Sequence, residues 1–520
     1  MSAGILFTFV IGYFVVLLFV AWYTSRNSNN DTFFIGNKNS NWMLVAFGMI
    51  GTSLSGVTFV SVPGGVGDVA GNAFKGFAYL QVTIGYFFGY CVIAFVLLPL
   101  YYRLNLTSIY NYLQQRFGNV AYKTGALFFI ISRTVGATAR LYLVINILQF
   151  FILDQMGVPF VVTTFFILLM ILLYTFEGGV KTIVYTDTLQ TSLMVAGLIV
   201  CVIYILNNLG ISGGEAFSQM NDRGYLNIFN TEVNSKGFFL KQIIGGAFIA
   251  IAMTGLDQEM MQKNISVKRL GDSQKNVMTM AIILMGVLFL FLMLGGLLYL
   301  YAISKGAVYT DVEIGGKMVR QLLIADPANA SQTINVIGDK IFPSVAINFL
   351  PPAISIIFII ALISALFPSA DGALTALTSS FCIDLLNLRG RTDLDEKAKR
   401  RTRLTVHFTF AFVFLACIMV FYALNNNSII DVILDLAGYT YGPLLGLFAF
   451  GILTKRRIDN TIIITLICLA APVVSYLLAK NAKDIFGGYQ IGIELLVING
   501  LLTFLGLWAI SHKPGVPDAP

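Results

Sequence analysis

The stretch GMIGTSLSGVTFVSVPGG, residues 48–65, gathers small and hydroxylated side chains in the middle of an apolar segment and closes with Pro63, Gly64 and Gly65. Proline has no backbone N–H and glycine tolerates irregular backbone, so the stretch favours a helix that is interrupted part-way through. The carbonyl oxygens freed by such an interruption can coordinate a cation. An unbroken helix that packs closely through its small residues is the alternative, and the stretch alone leaves both open.

The composition places this stretch inside a membrane protein. Of the 520 residues, 57% are apolar and only 11% are charged, whereas about a quarter of a typical soluble domain is charged. The apolar runs are roughly 20 residues long, which suits helices that cross about 30 Å of hydrocarbon and excludes both a water-soluble globule and a transmembrane barrel. We predict an all-α integral membrane protein, a single transmembrane domain over residues 1–520. About 13 spans are expected, at 3–23, 45–62, 75–100, 123–152, 158–176, 184–207, 239–256, 277–303, 346–383, 404–424, 429–453, 460–480 and 488–510.

The basic residues predict how the spans are oriented, because cytoplasmic loops are enriched in Lys and Arg. With the N-terminus outside, 21 of the 33 Lys and Arg residues, Lys263 among them, fall on the inner side and 10 on the outer side. We therefore expect a cytoplasmic C-terminus. The basic cluster at 389–403 is interpreted as an anchor against anionic lipid, and no nucleic-acid partner is expected. The longest outer segments, 208–238 and 304–345, are expected to form caps or gates.

Asp371 and Asp187 lie inside predicted spans, where an ionisable side chain is costly unless it has a function. In the ninth span Pro368 frees the carbonyl of Ser364, Ser369 adds a hydroxyl, and Asp371 adds a carboxylate about half a turn further on. Such oxygen ligands suit an alkali cation. A proline kink with back-bonded hydroxyls would explain all of them except Asp371. Asp187, near the start of the sixth span, is either a charge at a helix N-terminus in interfacial water or a cation ligand.

Arg133 and Arg140 are seven residues apart in the fourth span and therefore share one helix face. An arginine keeps its charge and binds a carboxylate through two parallel hydrogen bonds. One of the two is expected to face a cavity. Its partner is either an internal acid such as Asp187 or Asp371 or the carboxylate of a transported solute, and the sequence leaves both open.

Several motifs, in the same order along the chain, make the sequence similar to the sodium:solute symporter family. They are Phe33-Phe34-Ile35-Gly36 with Trp42, Tyr112-Leu113-x-x-Arg116-Phe117-Gly118, Gly178-Gly179 with Asp187-x-x-Gln190, Gln258-x-x-x-Gln262-Lys263, and Tyr441-Gly442-Pro443-Leu444-Leu445-Gly446-Leu447-Phe448 before Lys455-Arg456. Each motif is short, and their common order over most of the chain carries the resemblance.

The resemblance implies a LeuT-type core of two inverted five-helix repeats. In this chain the repeats would be 42–207 and 237–453, with an extra N-terminal helix at 3–23 and two extra C-terminal helices at 460–510. The second and seventh spans would each be broken in mid-membrane. We expect the break in the seventh span at Gly245-Gly246 and Gly255.

The resemblance also implies a Na+ site between the second and ninth spans. Matching the family's motifs residue by residue points to five positions, Gly51, Leu54, Ala365, Pro368 and Ser369. Gly51 and Leu54 would donate carbonyl oxygens. Relatives carry paired hydroxyl residues where this chain has Pro368-Ser369, so one side-chain ligand is missing, and we expect the freed carbonyl of Ser364 to replace it in part.

A second cation site is implied by the sialic acid symporters of the family. Some of these relatives bind an extra sodium ion. Its ligands are serines further along the helix that matches the ninth span and the aspartate that matches Asp187. The matching serine positions are here Pro368, Asp371 and Gly372. We therefore expect a second cation site of Asp187, Asp371 and Gly372, in which Asp371 either strengthens sodium binding or replaces the sodium with a proton.

The substrate cavity is assigned by position in the family. The residues expected to approach the solute are Ser53, Ser55, Thr58, Gln81 and Arg133. Sugar-transporting relatives place an Asn and an aromatic gate on the seventh span, where this chain has Ala250, Met253 and Thr254, so a neutral hexose is disfavoured. An organic anion such as a sialic acid or another carboxylate fits Arg133 better.

Together these features predict a sodium-coupled symporter that imports a small organic solute by alternating access. We expect a monomer in the bilayer of a bacterial inner membrane, with Na+ as the only bound metal ion. The alternatives are sodium-coupled import of a neutral sugar, polyol or amino acid, or an uncoupled channel of the same fold. An enzyme is not expected, because the chain has two histidines and shows no nucleophile or metal-ligand motif.

Overall fold

The structure is a computed structural model that describes residues 3–24, 40–68, 75–106, 108–175, 179–314, 317–327, 329–388, 390–424 and 429–513. The Phe33-Phe34-Ile35-Gly36 motif and Gly178 lie outside these residues.

Helices form most of the described chain, with one small sheet among them. In chain order the elements are α1 (Ala3–Thr24), α2 (Trp42–Ser53), α3 (Gly56–Gly64), α4 (Tyr79–Arg103), α5 (Asn111–Phe117), α6 (Asn119–Met156), α7 (Phe160–Thr175), α8 (Gly179–Leu209), α9 (Gly213–Asp222), α10 (Phe239–Gly255), α11 (Gln258–Ile265), α12 (Leu270–Ser304), β1 (Val308–Ile314), β2 (Lys317–Asp326), β3 (Asn329–Asn335), α13 (Ile341–Asn348), α14 (Pro352–Leu385), α15 (Glu396–Leu424), α16 (Ile429–Leu453), α17 (Ile463–Ile485) and α18 (Leu495–Ile510).

The predicted spans all have helical counterparts. Within the described ranges, nine helices are long and apolar enough to cross a membrane, and the bent pairs α2–α3 and α10–α11 each supply a further broken span. The shorter apolar helices α7 and α18 take the two remaining positions. The chain is therefore a multi-pass membrane protein with a mostly helical fold, as predicted.

Two spans are broken, as the sequence predicts. α2 and α3 meet at 55° around Leu54-Ser55, and α10 and α11 meet at 65° around Leu256-Asp257. Gly255 lies directly before the second break. The expected break at Gly245-Gly246 is wrong, because α10 continues through both glycines and uses them for close packing. A Cβ at Gly246 would lie 2.5 Å from the Val82 carbonyl oxygen of α4, so Gly246 allows the backbones of α10 and α4 to touch, and Gly245 packs against the Ile493 side chain.

The second break has its backbone groups paired within the protein. Tyr101 donates a hydrogen bond from its hydroxyl to the Gly255 carbonyl at 2.9 Å, and Tyr110 donates to the Leu256 carbonyl at 3.0 Å. Asp257 then accepts from two backbone N–H groups at the start of α11. The break is stable in hydrocarbon because side chains replace the lost helical hydrogen bonds.

The first broken helix lies at the centre of the bundle. α2 packs against α8, α12 and α14, while α3 packs against α12, and α8 and α14 pack along each other. The two broken pairs begin the segments 42–207 and 237–453. The division into two repeats with these boundaries stays a prediction, and both of its starting helices are in place.

The segment at 304–345 contains a three-stranded antiparallel sheet, in the order β1-β2-β3, that the sequence did not predict. The sheet is tied to the end of the first broken helix. Arg320 of β2 places its Nε 3.1 Å from Oδ2 of Asp68, and Tyr299 of α12 donates a hydrogen bond to the Gly64 carbonyl at 2.6 Å. The role of the segment as a cap or gate stays a prediction.

Replacing Tyr101 and Tyr110 by phenylalanine should destabilise the protein, because each change leaves a buried carbonyl at the second break without its donor. A group left unsatisfied in this way costs about 1–3 kcal/mol. The double variant should melt at a lower temperature than the wild type in detergent, and each single variant should lie between them. Tyr185→Phe is the control, since this ring is 45% exposed on the outside of the bundle. A double variant that melts with the control would contradict the assignment.

Candidate functional site

A cavity lies beside the first break, between α2 and α3 on one side and α4, α6, α10 and α12 on the other. Its polar lining comes from hydroxyl and guanidinium groups. These belong to Thr52, Ser53, Thr58, Tyr79, Tyr86, Tyr90, Arg133, Arg140 and Thr254. Ala250 and Met253 of α10 also line the cavity. With Thr254 they are the three residues of the seventh span that the sequence places at the substrate cavity, and all three face it.

The predicted substrate residues divide into two groups. Ser53, Thr58 and Arg133 line the cavity, whereas Ser55 and Gln81 are not part of its lining. Ser55 is buried at the N-cap of α3. Gln81 is buried in α4 and donates from Nε2 to the Ala78 carbonyl at 3.1 Å.

Arg133 reaches the cavity with carboxylates already beside it. Its guanidinium contacts the Glu259 carboxylate, and Nη1 lies 3.9 Å from Oδ2 of Asp257. All three side chains are at most 3% exposed. The internal partners considered from the sequence, Asp187 and Asp371, are not its partners, because the start of α11 brings Glu259 and Asp257 to this position instead. The pair joins α6 to α11.

Arg140 lies two turns along α6 and also lines the cavity. Among the residues that the structure describes, no carboxylate forms an ion pair with it. Its helix neighbour Arg133 adds a second positive charge on the same face. The cavity therefore presents one arginine that forms no ion pair within the described residues.

The predicted Na+ site lies where α2, α8 and α14 meet. Leu54 ends α2 with an irregular backbone, and in the described chain no backbone N–H donates to the carbonyl of Gly51 or Leu54. Across the gap, a Cβ added at Gly51 would lie 3.5 Å from Cγ of Pro368. Ser369 donates its hydroxyl hydrogen to the Leu366 carbonyl at 3.0 Å, which leaves its oxygen lone pairs free to accept. Ala365 is buried in the same helix.

Thr191 is a candidate ligand that sequence reasoning missed. Its hydroxyl is fully buried on α8 without a hydrogen-bond partner among the described residues. A Cβ at Gly51 would overlap this hydroxyl, so the oxygen lies directly against the end of α2. The sequence signal was available, since Thr191 is one residue beyond the Asp187-x-x-Gln190 motif, but nothing in it placed α8 beside Gly51.

The predicted second cation site contains a lysine. Asp187 accepts a hydrogen bond at 2.7 Å from Nζ of Lys263, which the sequence assigned to a cytoplasmic loop. Asp371 accepts from the Tyr174 hydroxyl at 2.9 Å and from the backbone N–H of Gly372. Lys263 lies in α11, the second half of the broken span, because this polar half-helix turns back into the bundle.

Comparison with known proteins places this geometry in context. The model of the sodium:solute symporter family matches residues 33–468 of the chain. The sodium/sialic acid symporter NanT of Aliivibrio fischeri is 25% identical over 501 residues, which cover 94% of this chain and 91% of that protein. Sodium-coupled monocarboxylate transporter 1 of Mus musculus is 26% identical over 445 residues, 84% of this chain and 66% of that protein.

A solved structure shares the fold. It is the substrate-bound outward-open state of a Na+-coupled sialic acid symporter, and it matches with a TM-score of 0.76 at 19% sequence identity over 98% of this chain and 99% of the other.

Arg133→Gln should lower the melting temperature strongly, because it removes the buried cation beside Glu259 and Asp257 and leaves Glu259 with Lys263 alone, 3.5 Å from its Oε1. Removing one partner of a buried ion pair costs about 3–5 kcal/mol, whereas removing both partners costs much less. Arg133→Gln combined with Glu259→Gln should therefore recover most of the lost stability in a double-mutant cycle. Additive effects of the two changes would show that the pair does not join α6 to α11 as described.

Proposed function

Because this chain belongs to the sodium:solute symporter family, we propose that the solute it takes up with Na+ is a small organic anion whose carboxylate binds Arg140. The chain is a sodium-coupled transporter and not an enzyme. One observation carries the choice of solute: of the two arginines on the cavity wall, Arg133 forms an ion pair with Glu259, whereas Arg140 forms no ion pair among the described residues.

A carboxylate fits Arg140 for physical reasons. An uncompensated cation inside a membrane protein costs free energy unless a counter-ion or water accompanies it. A planar guanidinium binds a carboxylate through two parallel hydrogen bonds, which gives both affinity and orientation. A neutral hexose would leave the charge of Arg140 uncompensated. The names of the relatives point the same way, since one is a sialic acid symporter and another a monocarboxylate transporter.

The hydroxyl groups around Arg140 favour a solute larger than a simple monocarboxylate. Tyr79 and Tyr86 hold their hydroxyl oxygens 3.3 Å apart on α4, and Ser53, Thr58 and Thr254 add hydroxyls from the other walls. Groups of this kind bind hydroxyl and amide substituents. We therefore propose a sialic acid or a similar polyhydroxylated carboxylate as the solute.

We propose that Na+ binds at the first break, between α2 and α14. Its ligands would be the carbonyl oxygens of Gly51 and Leu54 and the Ser369 hydroxyl, with Ala365 and Pro368 on the facing helix turn. Thr191 would supply the hydroxyl ligand that is missing at Pro368. Backbone carbonyls and hydroxyls are the oxygen donors that an alkali cation prefers.

The two proposed sites share one piece of backbone, and this supports coupling between them. Leu54 is both a proposed Na+ ligand and part of the cavity wall, and Ser53 beside it faces the cavity. An ion that fixes the backbone at Leu54 thereby fixes the wall to which the solute binds. Each ligand then favours the conformation that binds the other, which is what alternating access with coupling requires.

The proposed setting has two supports. The excess of Lys and Arg on one side supports an N-terminus outside and a C-terminus in the cytoplasm, and the similarity to a bacterial symporter supports a bacterial inner membrane. The cavity and the Na+ site are both built within one chain, so we propose that a monomer is the functional unit.

Arg140→Gln should reduce uptake of sialic acid by more than about tenfold in proteoliposomes with an inward Na+ gradient, because the carboxylate loses its charged partner. The Na+-induced rise in melting temperature should remain, since the Na+ site does not include Arg140. Arg103→Gln is the control, because this exposed arginine at the end of α4 lies away from the cavity. Wild-type uptake of the anion by Arg140→Gln, or preferred uptake of a neutral hexose by the unmodified protein, would contradict the proposal.

Thr191→Val should weaken Na+ binding about as much as Ser369→Ala, because each change removes one hydroxyl ligand while keeping the side-chain volume similar. The half-saturating Na+ concentration for uptake should rise several-fold in both variants, with the maximal rate largely retained. Thr188→Val on the same helix is the matched control, since its hydroxyl lies against the carbonyls of Leu44 and Val184, which are not part of the proposed Na+ site. Unchanged Na+ affinity in Thr191→Val would remove this residue from the site.

A further inference from the structure

Lys263 is a fully internal lysine in α11, the second half of the broken seventh span. Its side chain is 3% exposed. Nζ donates to Oδ2 of Asp187 and to the Thr52 hydroxyl, both at 2.7 Å, and lies 3.5 Å from Oε1 of Glu259. The ammonium is thus surrounded by oxygen atoms from three elements, α2, α8 and α11.

The oxygen atoms around this ammonium include the carboxylate of Asp187, which was expected to bind a second cation. A lysine ammonium is a compact, singly charged cation, and it binds carboxylate and hydroxyl oxygens as a point charge without the planar geometry of arginine. We propose that the ammonium of Lys263 is a built-in monovalent cation that takes the place of a second sodium ion, so that this transporter moves one Na+ in each cycle.

The packing around the ammonium supports this assignment. A Cβ at Gly48 of α2 would lie 3.2 Å from Cβ of Asp187, and a Cβ at Gly372 of α14 would overlap Oε1 of Glu259. Glycine at these two positions therefore lets α2 and α14 pack directly against the carboxylates of Asp187 and Glu259, which lie beside Lys263. The ammonium links the second half of one broken helix to the first half of the other, as an ion bound between them would do.

Two of the carboxylates near Lys263 already lie against a cation of the protein. Asp187 is paired with Lys263, and Glu259 contacts Arg133. Asp371 receives hydrogen bonds from Tyr174 and from the N–H of Gly372. A free sodium ion beside Asp187 would have to approach a fixed positive charge, and like charges repel strongly in a weakly polar interior.

This inference rests on the proposed function only for the presence of one Na+ at the first break, and it is independent of the solute. The test therefore uses the full purified chain in detergent without any solute. Equilibrium binding of radioactive sodium gives the number of ions per protein, and the Na+ dependence of the melting temperature gives the Hill coefficient.

The wild type should bind about one Na+ with a Hill coefficient near one. Lys263→Met should bind a second Na+, with a Hill coefficient above one, because Asp187 then lacks its cation. Lys263→Met combined with Asp187→Asn should return to one Na+, since both charges are gone. Lys263→Arg keeps the internal charge and is the matched control, with one Na+ expected.

Binding of two sodium ions by the wild type would overturn this inference and leave the proposed function standing, because an ion would then bind beside Asp187 despite the ammonium. A folded Lys263→Met variant that still binds one ion would also overturn it. If Lys263→Met does not fold, the wild-type count and the neutral double variant decide the question. A wild type that binds no Na+ would instead overturn the proposed function, and this inference with it.

Discussion

Backbone groups at a break in a transmembrane helix must find partners, and this constraint organises the whole protein. Hydrocarbon supplies no hydrogen bonds, so a broken helix survives only where protein, water or an ion replaces the lost ones. At the second break, the hydroxyls of Tyr101 and Tyr110 do so. At the first break the described residues offer no backbone donor to Gly51 or Leu54. Both breaks bend a helix in the bundle. They differ because the carbonyl oxygens at the second break accept hydrogen bonds from protein side chains, whereas those of Gly51 and Leu54 accept none from the backbone of the described residues.

Electrostatics separates the interior into two regions. In one, the carboxylates of Asp187, Asp257 and Glu259 lie beside the cations of Lys263 and Arg133, which bind the halves of the broken helices to α6 and α8. In the other, Arg140 faces the cavity without an ion pair within the described chain. The first region joins helices of the bundle, whereas the second contains the arginine that we propose binds the carboxylate of the solute. Sodium is proposed between the two regions, where the backbone of Leu54 borders the cavity.

The sequence predicted much of this architecture because long apolar runs and small-residue stretches are local signals. Hydropathy located the spans. Residues 48–65 favoured a break without excluding an unbroken helix, and the family resemblance implied the break. The polar half-helix α11 was missed for the same reason: Gln258, Glu259 and Lys263 end the apolar run, so hydropathy places them in a loop. The partner of Arg133 and the position of Lys263 follow from that half-helix and could not be predicted without it. Thr191 and the three-stranded sheet depend on packing between distant segments, which one sequence does not display.

The central claim is that one mobile sodium ion, bound at the break that the protein leaves unpaired, drives uptake of an anionic solute. The most direct measurement is the solute gradient at which net flux stops in proteoliposomes held at zero membrane potential with a known sodium gradient. With one sodium per solute, a tenfold sodium gradient should be balanced by about a tenfold solute gradient. A balance near a hundredfold would show that two ions are coupled, and a balance independent of sodium would show that no ion drives the solute.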